Sequence, residues 1–140
     1  MPQDQESGAA ANAYGRETAR RIAKAIGAKI LGRSSNEAEF GGMRVVIKCA
    51  RAKTTSVGVT YRMQEHIQAV VAAFEATDGG YKVFSLPMAT FAKAQRPTKS
   101  QGAAAGKVGL VSRAVFESSG SLVAAVVQRP FYGSSGRTDS

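Results

Sequence analysis

Tryptophan is absent from this 140-residue chain, and cysteine and histidine each occur once. The single cysteine, Cys49, cannot form an internal disulfide, which favours a reducing compartment such as the cytoplasm. His66 has no cysteine cluster beside it, so a zinc site is not expected. No apolar run approaches the roughly 20 residues that span a bilayer, and the first residues lack the basic start and apolar core of a secretory signal. The sequence therefore predicts a cytoplasmic protein that does not enter a membrane.

Acidic residues are also scarce. The chain has 10 Asp+Glu against 19 Lys+Arg, which gives a net charge of +9. No acid lies between Glu39 and Glu65 or between Asp78 and Glu117, although both segments contain several lysines and arginines. Long basic tracts without acids favour a polyanion partner. We therefore expect a nucleic-acid-binding protein, with DNA as the first partner to consider. The alternative is a non-enzymatic adaptor or regulator that binds an acidic protein.

The candidate contacts to nucleic acid are basic side chains in several segments. Some of them recur every four residues in a predicted first helix, where they form a basic stripe. Residues 97–107 lack periodicity and are expected to form a mobile loop, which either wraps a phosphate backbone or is simply solvated. A base-stacking platform has little support, because the core needs most of the Tyr and Phe side chains. The candidate residues are Arg16, Arg20, Lys24, Arg44, Arg51, Lys53, Arg96, Lys99 and Lys107.

The pattern of apolar residues predicts one α/β (α+β) domain over 14–128, between disordered tails at 1–13 and 129–140. Its fold class is a small mixed sheet with a central β-hairpin, flanked by helices. Helices are expected over 15–31, with Gly32 as the stop, over 60–76, and as a short element over 90–95. Besides the hairpin, strands are expected within 51–59 and over 81–86, 107–116 and 121–128.

The predicted hairpin is the most informative segment. Its sequence, SNEAEFGGMRVVIKCA from Ser35 to Ala50, alternates on both sides of Gly41-Gly42. A two-glycine connection favours a primed two-residue turn. This turn sets the register, so Phe40 is expected opposite Met43 and the other pairs follow by counting outwards. One face then carries the apolar residues Ala38, Phe40, Met43, Val45, Ile47 and Cys49, and the other carries Glu37, Glu39, Arg44, Val46 and Lys48.

The predicted order of helix, hairpin, helix, strand and helix, over roughly 15–96, resembles the core of the restriction-endonuclease-like (PD-(D/E)XK) nuclease superfamily. The residues that carry the resemblance are Glu17 in the first helix, Glu37 and Glu39 on the first hairpin strand and Lys48 on the second. In that family, an acid on one strand and an acid-x-lysine motif on the next bind a divalent ion. The lysine helps to position the water that attacks the phosphodiester. The resemblance implies a restriction-endonuclease-like fold and a possible Mg²⁺-dependent phosphodiesterase or endonuclease.

The acid-x-lysine motif is broken here, because Val46 stands two positions before Lys48. Some members of the family carry the second acid on the following helix, where this chain has Glu65. Asn36-Glu37 then stands in for the family's Pro-Asp, and Glu17 could assist. The resemblance therefore implies Glu37, Lys48 and Glu65 as catalytic residues, with Glu37 and Glu65 as ligands of Mg²⁺.

Two other interpretations of the polar hairpin face stay open. Glu39 with Arg44 and Glu37 with Lys48 could be cross-strand ion pairs on a solvated sheet surface, each contributing a fraction of a kcal/mol. The face could also be a binding surface without catalysis. If the protein is not an enzyme, no cofactor is expected.

Overall fold

A six-stranded sheet organises the chain in the computed structural model, which describes residues 15–32, 36–97 and 106–126. The strands are β1 (Lys29–Ile30), β2 (Glu37–Phe40), β3 (Met43–Ala50), β4 (Ser56–Thr60), β5 (Ala69–Glu75), β6 (Tyr81–Pro87), β7 (Arg96–Pro97), β8 (Val108–Ser112) and β9 (Ser121–Val126). The large sheet has the order β1-β2-β3-β5-β6-β9, and a second sheet has the order β4-β8-β7. The helices are α1 (15–26), α2 (Tyr61–Gln64), α3 (Met88–Ala94) and α4 (Arg113–Ser119). In the large sheet β3 and β5 run parallel and the other neighbours antiparallel. The predicted mixed sheet in a single α+β domain is confirmed.

The predicted hairpin is confirmed in its turn and in its register. Gly41 and Gly42 both have positive φ, 59° and 80°, as a type I′ turn requires. Phe40 lies opposite Met43, and the pairs continue outwards as predicted. Val45 and Ile47 are fully buried and Phe40 is half-buried, whereas Glu39 and Arg44 are exposed. A one-residue shift would have exchanged these two faces.

The predicted helix over 60–76 is wrong. Only Tyr61–Gln64 is helical, and Ala69–Glu75 forms strand β5. Residues 69 to 74 of β5 are all buried, because the strand lies between β3 and β6 and both faces of the sheet are covered. A continuous apolar run is typical of such a strand. It also contains apolar residues at helical spacing, and this caused the incorrect prediction.

Two further element boundaries differ from the prediction. The first helix ends at residue 26, and Gly27, with φ of 79°, follows it; Lys29–Ile30 is already strand. The predicted strand over 107–116 ends at Ser112, where α4 begins. The strands at 81–87 and 121–126 and the helix at 88–94 confirm the corresponding predictions. Most of the predicted loop 97–107, the predicted tails and Ser35, the expected partner of Lys48, lie outside the described residues.

The core consists of two apolar clusters, one on each face of the large sheet. On one face, Ala19, Ile22 and Ala23 of α1 pack against β2, β3, β5 and β6. On the other face, the small sheet and the short helices pack against β3, β5 and β6. Phe116 of α4 meets Phe74 of β5 edge-on, with ring centroids 5.5 Å apart. The chain therefore forms three layers, and β1 and β2 contribute no residue to the cluster below the second cover.

Gly120 joins α4 to β9 in a place that leaves no room for a side chain. A Cβ there would lie 2.5 Å from the backbone oxygen of Phe116 and 3.1 Å from that of Ser85. We expect Gly120→Ala to lower the free energy of unfolding by about 1–3 kcal/mol, because backbone atoms must move to relieve the overlap. Thermal and urea unfolding measure this. The matched control is Gly15→Ala in α1, where a Cβ meets nothing within 4 Å. Equal stability of the two variants would contradict the close packing at Gly120.

Candidate functional site

The polar face of the hairpin lies partly under the second layer of the fold and partly beyond it. Glu37 and Glu39 on β2 share this face with Arg44 and Lys48 on β3, since side chains alternate along each strand. Val46, between Arg44 and Lys48, is only 2% exposed and belongs to the core cluster below the small sheet. Arg44 and Glu39 are exposed. A fully solvated sheet surface is therefore the wrong description of this face.

Lys48 occupies the most unusual position for a charged group. It is half-buried in β3, between the buried residues Val46 and Ala50, and it lies beside Ala72 of β5. Burial lowers the pKa of Lys48 below its usual 10.5, because the ammonium loses hydration that an apolar surrounding does not replace; the neighbouring Cys49 acts weakly in the opposite direction. Glu37 lies opposite Val46 and is therefore a diagonal neighbour of Lys48 on the same face.

The other two charges of this face do not neutralise each other. Glu39 and Arg44 are directly opposite in the register. Their charged atoms do not come within 4 Å of each other. The ion pair that the described residues do form is Arg113–Glu117 in α4. The predicted opposition of Glu39 and Arg44 in the register is confirmed, but the cross-strand ion pair, one of the alternatives, is not formed. Both side chains are left available to a ligand.

Gln68 fixes the backbone of Arg44, and sequence analysis missed it. Its backbone N–H donates to the Arg44 carbonyl at 2.7 Å, and its Oε1 accepts from the Arg44 N–H at 3.1 Å. The Gln68 carbonyl accepts from the N–H of Met88 at 2.9 Å. One residue thus ties β3 to the start of α3. No sequence signal indicated this, because Gln68 lay within the incorrectly predicted helix.

Glu65, the second proposed metal ligand, is exposed and lies directly after α2, where its N–H donates to the Arg62 carbonyl at 3.2 Å. Among residues 15–32, 36–97 and 106–126, no three His, Cys, Asp or Glu side chains come together as a metal-binding group. A centre built from protein ligands alone is therefore not present in that part of the chain. A Mg²⁺ site needs fewer protein ligands, because the ion keeps several waters and is usually held by one or two carboxylates together with substrate phosphates.

The structure separates the candidate nucleic-acid contacts into three groups. Arg16, Arg20 and Lys24 are exposed on α1, which covers the face of the sheet opposite to Lys48. Arg51 and Lys53 follow the far end of β3, which lies six residues and thus roughly 20 Å from Arg44 along the extended strand. Lys107 lies beside α2, since its carbonyl accepts from the Tyr61 N–H at 2.9 Å, and Arg96 is exposed in β7. Lys99 lies outside the described residues. Arg44, Arg96 and Lys107 are on the same side of the large sheet as Lys48.

The other reactive side chains give no sign of catalysis. Burial raises the pKa of Cys49 to about 12, so its thiol stays protonated at neutral pH and is a poor nucleophile. This agrees with the predicted place of Cys49 on the apolar face of the hairpin. His66 is exposed.

The buried position of Lys48 has a consequence for stability. Below both pKa values the folded protein bears the whole cost of desolvating the ammonium. Between the lowered folded pKa and 10.5, the unfolded chain binds more protons, so stability rises with pH. We expect Lys48→Met to unfold a few degrees above wild type at pH 7, with the difference shrinking as the pH approaches 10. The control is Lys82→Met on exposed Lys82, with no such trend. A lower melting temperature for Lys48→Met at pH 7 would refute the desolvation account.

A scan against models of protein families finds no matching family, and a search of curated proteins finds no match. Within the described ranges, no helix is long and apolar enough to cross a membrane. What this protein does is therefore inferred from its own residues and their geometry.

Proposed function

We propose that this protein binds nucleic acid, with DNA as the first candidate, and that Glu37 and Lys48 lie at the bound phosphodiester. The observation that carries the proposal is Lys48, a lysine half-buried in a sheet strand with an acid diagonally opposite on the same face. Burying an ammonium costs free energy that a solvated lysine would not cost. A titratable group with a perturbed pKa in such a place favours a functional role.

The charge of the protein supports a polyanionic ligand. The net charge is +9, and Arg44, Arg96 and Lys107 are exposed on the same side of the sheet as Lys48. Basic side chains around the site would contact successive phosphates, which provides affinity independent of sequence. Lys48 Nζ would then donate to a phosphoryl oxygen or to the water near it, in surroundings that strengthen electrostatic interactions.

The two carboxylates assigned to this site by the proposal suit Mg²⁺ in kind and in number. Mg²⁺ keeps several waters and is usually held by one or two carboxylates together with the phosphates of a substrate. Glu37, beside Lys48 on the same face, and Glu65, exposed after α2, are the residues that would hold it. When bound, the ion would stabilise negative charge that develops on the phosphate. Enzymatic cleavage is the second part of the proposal, and the binding function does not depend on it.

Membership of the restriction-endonuclease-like superfamily is also part of the proposal. It is supported by α1, by the confirmed hairpin with its acids on β2, and by Lys48 on β3. It receives no support from the predicted second helix, which the structure replaces with strand β5.

The binding function is tested by titrating duplex DNA at several salt concentrations. We expect the logarithm of the binding constant to fall linearly with the logarithm of salt concentration, with a slope of about −0.9 per phosphate neutralised. The triple variant Arg44→Ala/Arg96→Ala/Lys107→Ala should flatten the slope by about 0.9 for each phosphate that the variant no longer neutralises. The triple variant Arg16→Ala/Arg20→Ala/Lys24→Ala removes the same charge from the other face and is the matched control.

If the α1 triple variant changes the salt slope more than the Arg44/Arg96/Lys107 variant does, DNA binds the α1 face and the proposed binding face is wrong. If wild type does not bind at low salt, the proposal fails, and an adaptor for an acidic protein becomes the better interpretation.

The catalytic part is tested by incubating duplex DNA, single-stranded DNA and RNA with the protein and Mg²⁺ or Mn²⁺. Any cleavage should fall at least a hundredfold in Lys48→Ala, which removes the positive charge at the phosphate. It should also fall sharply in Glu65→Gln, which keeps the size of the side chain and removes its charge. Lys82→Ala serves as the control and should cleave like wild type. Substrates left intact by wild-type protein would eliminate nuclease action on them and leave the binding proposal standing.

A further inference from the structure

A cleft opens beside the turn end of the hairpin. It has a volume of about 320 Å³ and is lined by Leu31, Glu39, Gly42, Met43, Arg44 and Gln68; we name it the hairpin cleft. This volume is at the small end of ligand pockets, which span roughly 300–1,000 Å³. A group of the size of one nucleobase suits it better than a larger ligand. Glu39 is two residues from Glu37 on β2, so the cleft begins roughly 7 Å from the proposed phosphodiester site.

One polar group of the hairpin cleft, the Gln68 amide, is held in place, and the charged groups beside it make no ion pair with each other. Gln68 Oε1 accepts from the Arg44 N–H, which fixes the orientation of the amide and identifies its other atom as Nε2. Within the described residues, Gln68 Nε2 and the Arg44 guanidinium have no hydrogen-bond partner, and Glu39 makes no ion pair with Arg44. The cleft therefore presents two sets of donors and one carboxylate acceptor.

We infer that the hairpin cleft binds one unpaired guanine of the nucleic acid, an inference that rests on the proposed function. Guanine presents the acceptors O6 and N7 next to the donors N1–H and N2–H₂. Arginine pairs with O6 and N7 in the commonest base-specific contact, and a carboxylate accepts from the neighbouring donors. Arg44 contacts a phosphate when the DNA is a duplex and turns to the base when the guanine is unpaired. With Gln68 Nε2 it then supplies the first set, and Glu39, directly opposite Arg44, supplies the second.

Other bases match this arrangement less well. Adenine has no O6 acceptor and carries a donor in its place, which would face the donors of Arg44 and Gln68. Thymine offers the carboxylate a single donor and leaves part of the cleft unfilled. Leu31, 41% exposed at the wall of the cleft, gives the face of the base an apolar surface to cover. The Watson–Crick edge is occupied in a duplex, so the guanine must be unpaired.

The test uses fluorescence anisotropy with single-stranded oligo-dT probes that carry one central dG, dI or dA. Wild-type protein should bind the dG probe about tenfold more tightly than the dA probe. The dI probe, which lacks only the N2 amine, should lie between them. Glu39→Gln should reduce the dG preference to about twofold or less and leave affinity for the dA probe within about twofold, because it alters base recognition and not the phosphate contacts. The matched control, Glu117→Gln, removes the same charge on α4, remote from the cleft, and should keep the preference.

The outcomes separate the cleft from the proposed function. Equal binding of the dG and dA probes by wild type overturns the guanine site and leaves nucleic-acid binding intact. No binding of any probe at low salt also overturns the guanine site, and nucleic-acid binding itself then fails only if wild type does not bind duplex DNA either. A readout independent of variants is the NMR signal of the Gln68 side-chain amide. It should shift on addition of the dG probe and not the dA probe, and a signal that does not move with bound dG overturns the site.

Discussion

The burial of β5 on both faces is the constraint on which the rest of the structure depends. This strand is apolar from Ala69 to Phe74 and lies between β3 and β6. An all-apolar strand must be covered on both sides, so the chain needs α1 on one face and the small sheet with its helices on the other. The two covers pack differently: below the small sheet and its helices, phenylalanine rings form three edge-on or tilted pairs. The guanidinium carbon of Arg113 lies 5.1 Å from the centroid of the Phe74 ring on this same side.

The same constraint creates the candidate site. The second cover reaches across the sheet as far as Val46 and Lys48 and leaves Glu39 and Arg44 in solvent. A single hairpin face therefore passes from apolar to aqueous surroundings within a few residues. Charged groups at such a boundary are neither neutralised by burial nor fully hydrated, and electrostatic interactions with a ligand are stronger there than in bulk water. Gln68, at the beginning of β5, connects the central strand to this boundary through its bonds to Arg44.

The sequence predicts the structure of some segments better than that of others, and the reasons are physical. The hairpin was predictable in register because two glycines dictate the turn and only one face of its first strand is buried, which preserves the alternation. β5 was not predictable as a strand, because a run that is apolar at every position fits helical and extended periods equally. Glu37 and Lys48 could be assigned to one face by counting from the turn. The half-burial of Lys48 and the role of Gln68 could not be predicted, because both depend on how segments distant in sequence pack over the sheet.

The place of β9 in the sheet has a consequence for biosynthesis. β9 pairs with β6, and the whole of 88–120 is translated between them. During that interval β6, with buried Val83, Phe84 and Leu86, has an unpaired edge of backbone donors and acceptors. Such an edge is a template for strands of other chains. The nascent protein is therefore most exposed to aggregation while 88–120 is being translated, and a chain truncated before residue 121 would keep that edge open permanently.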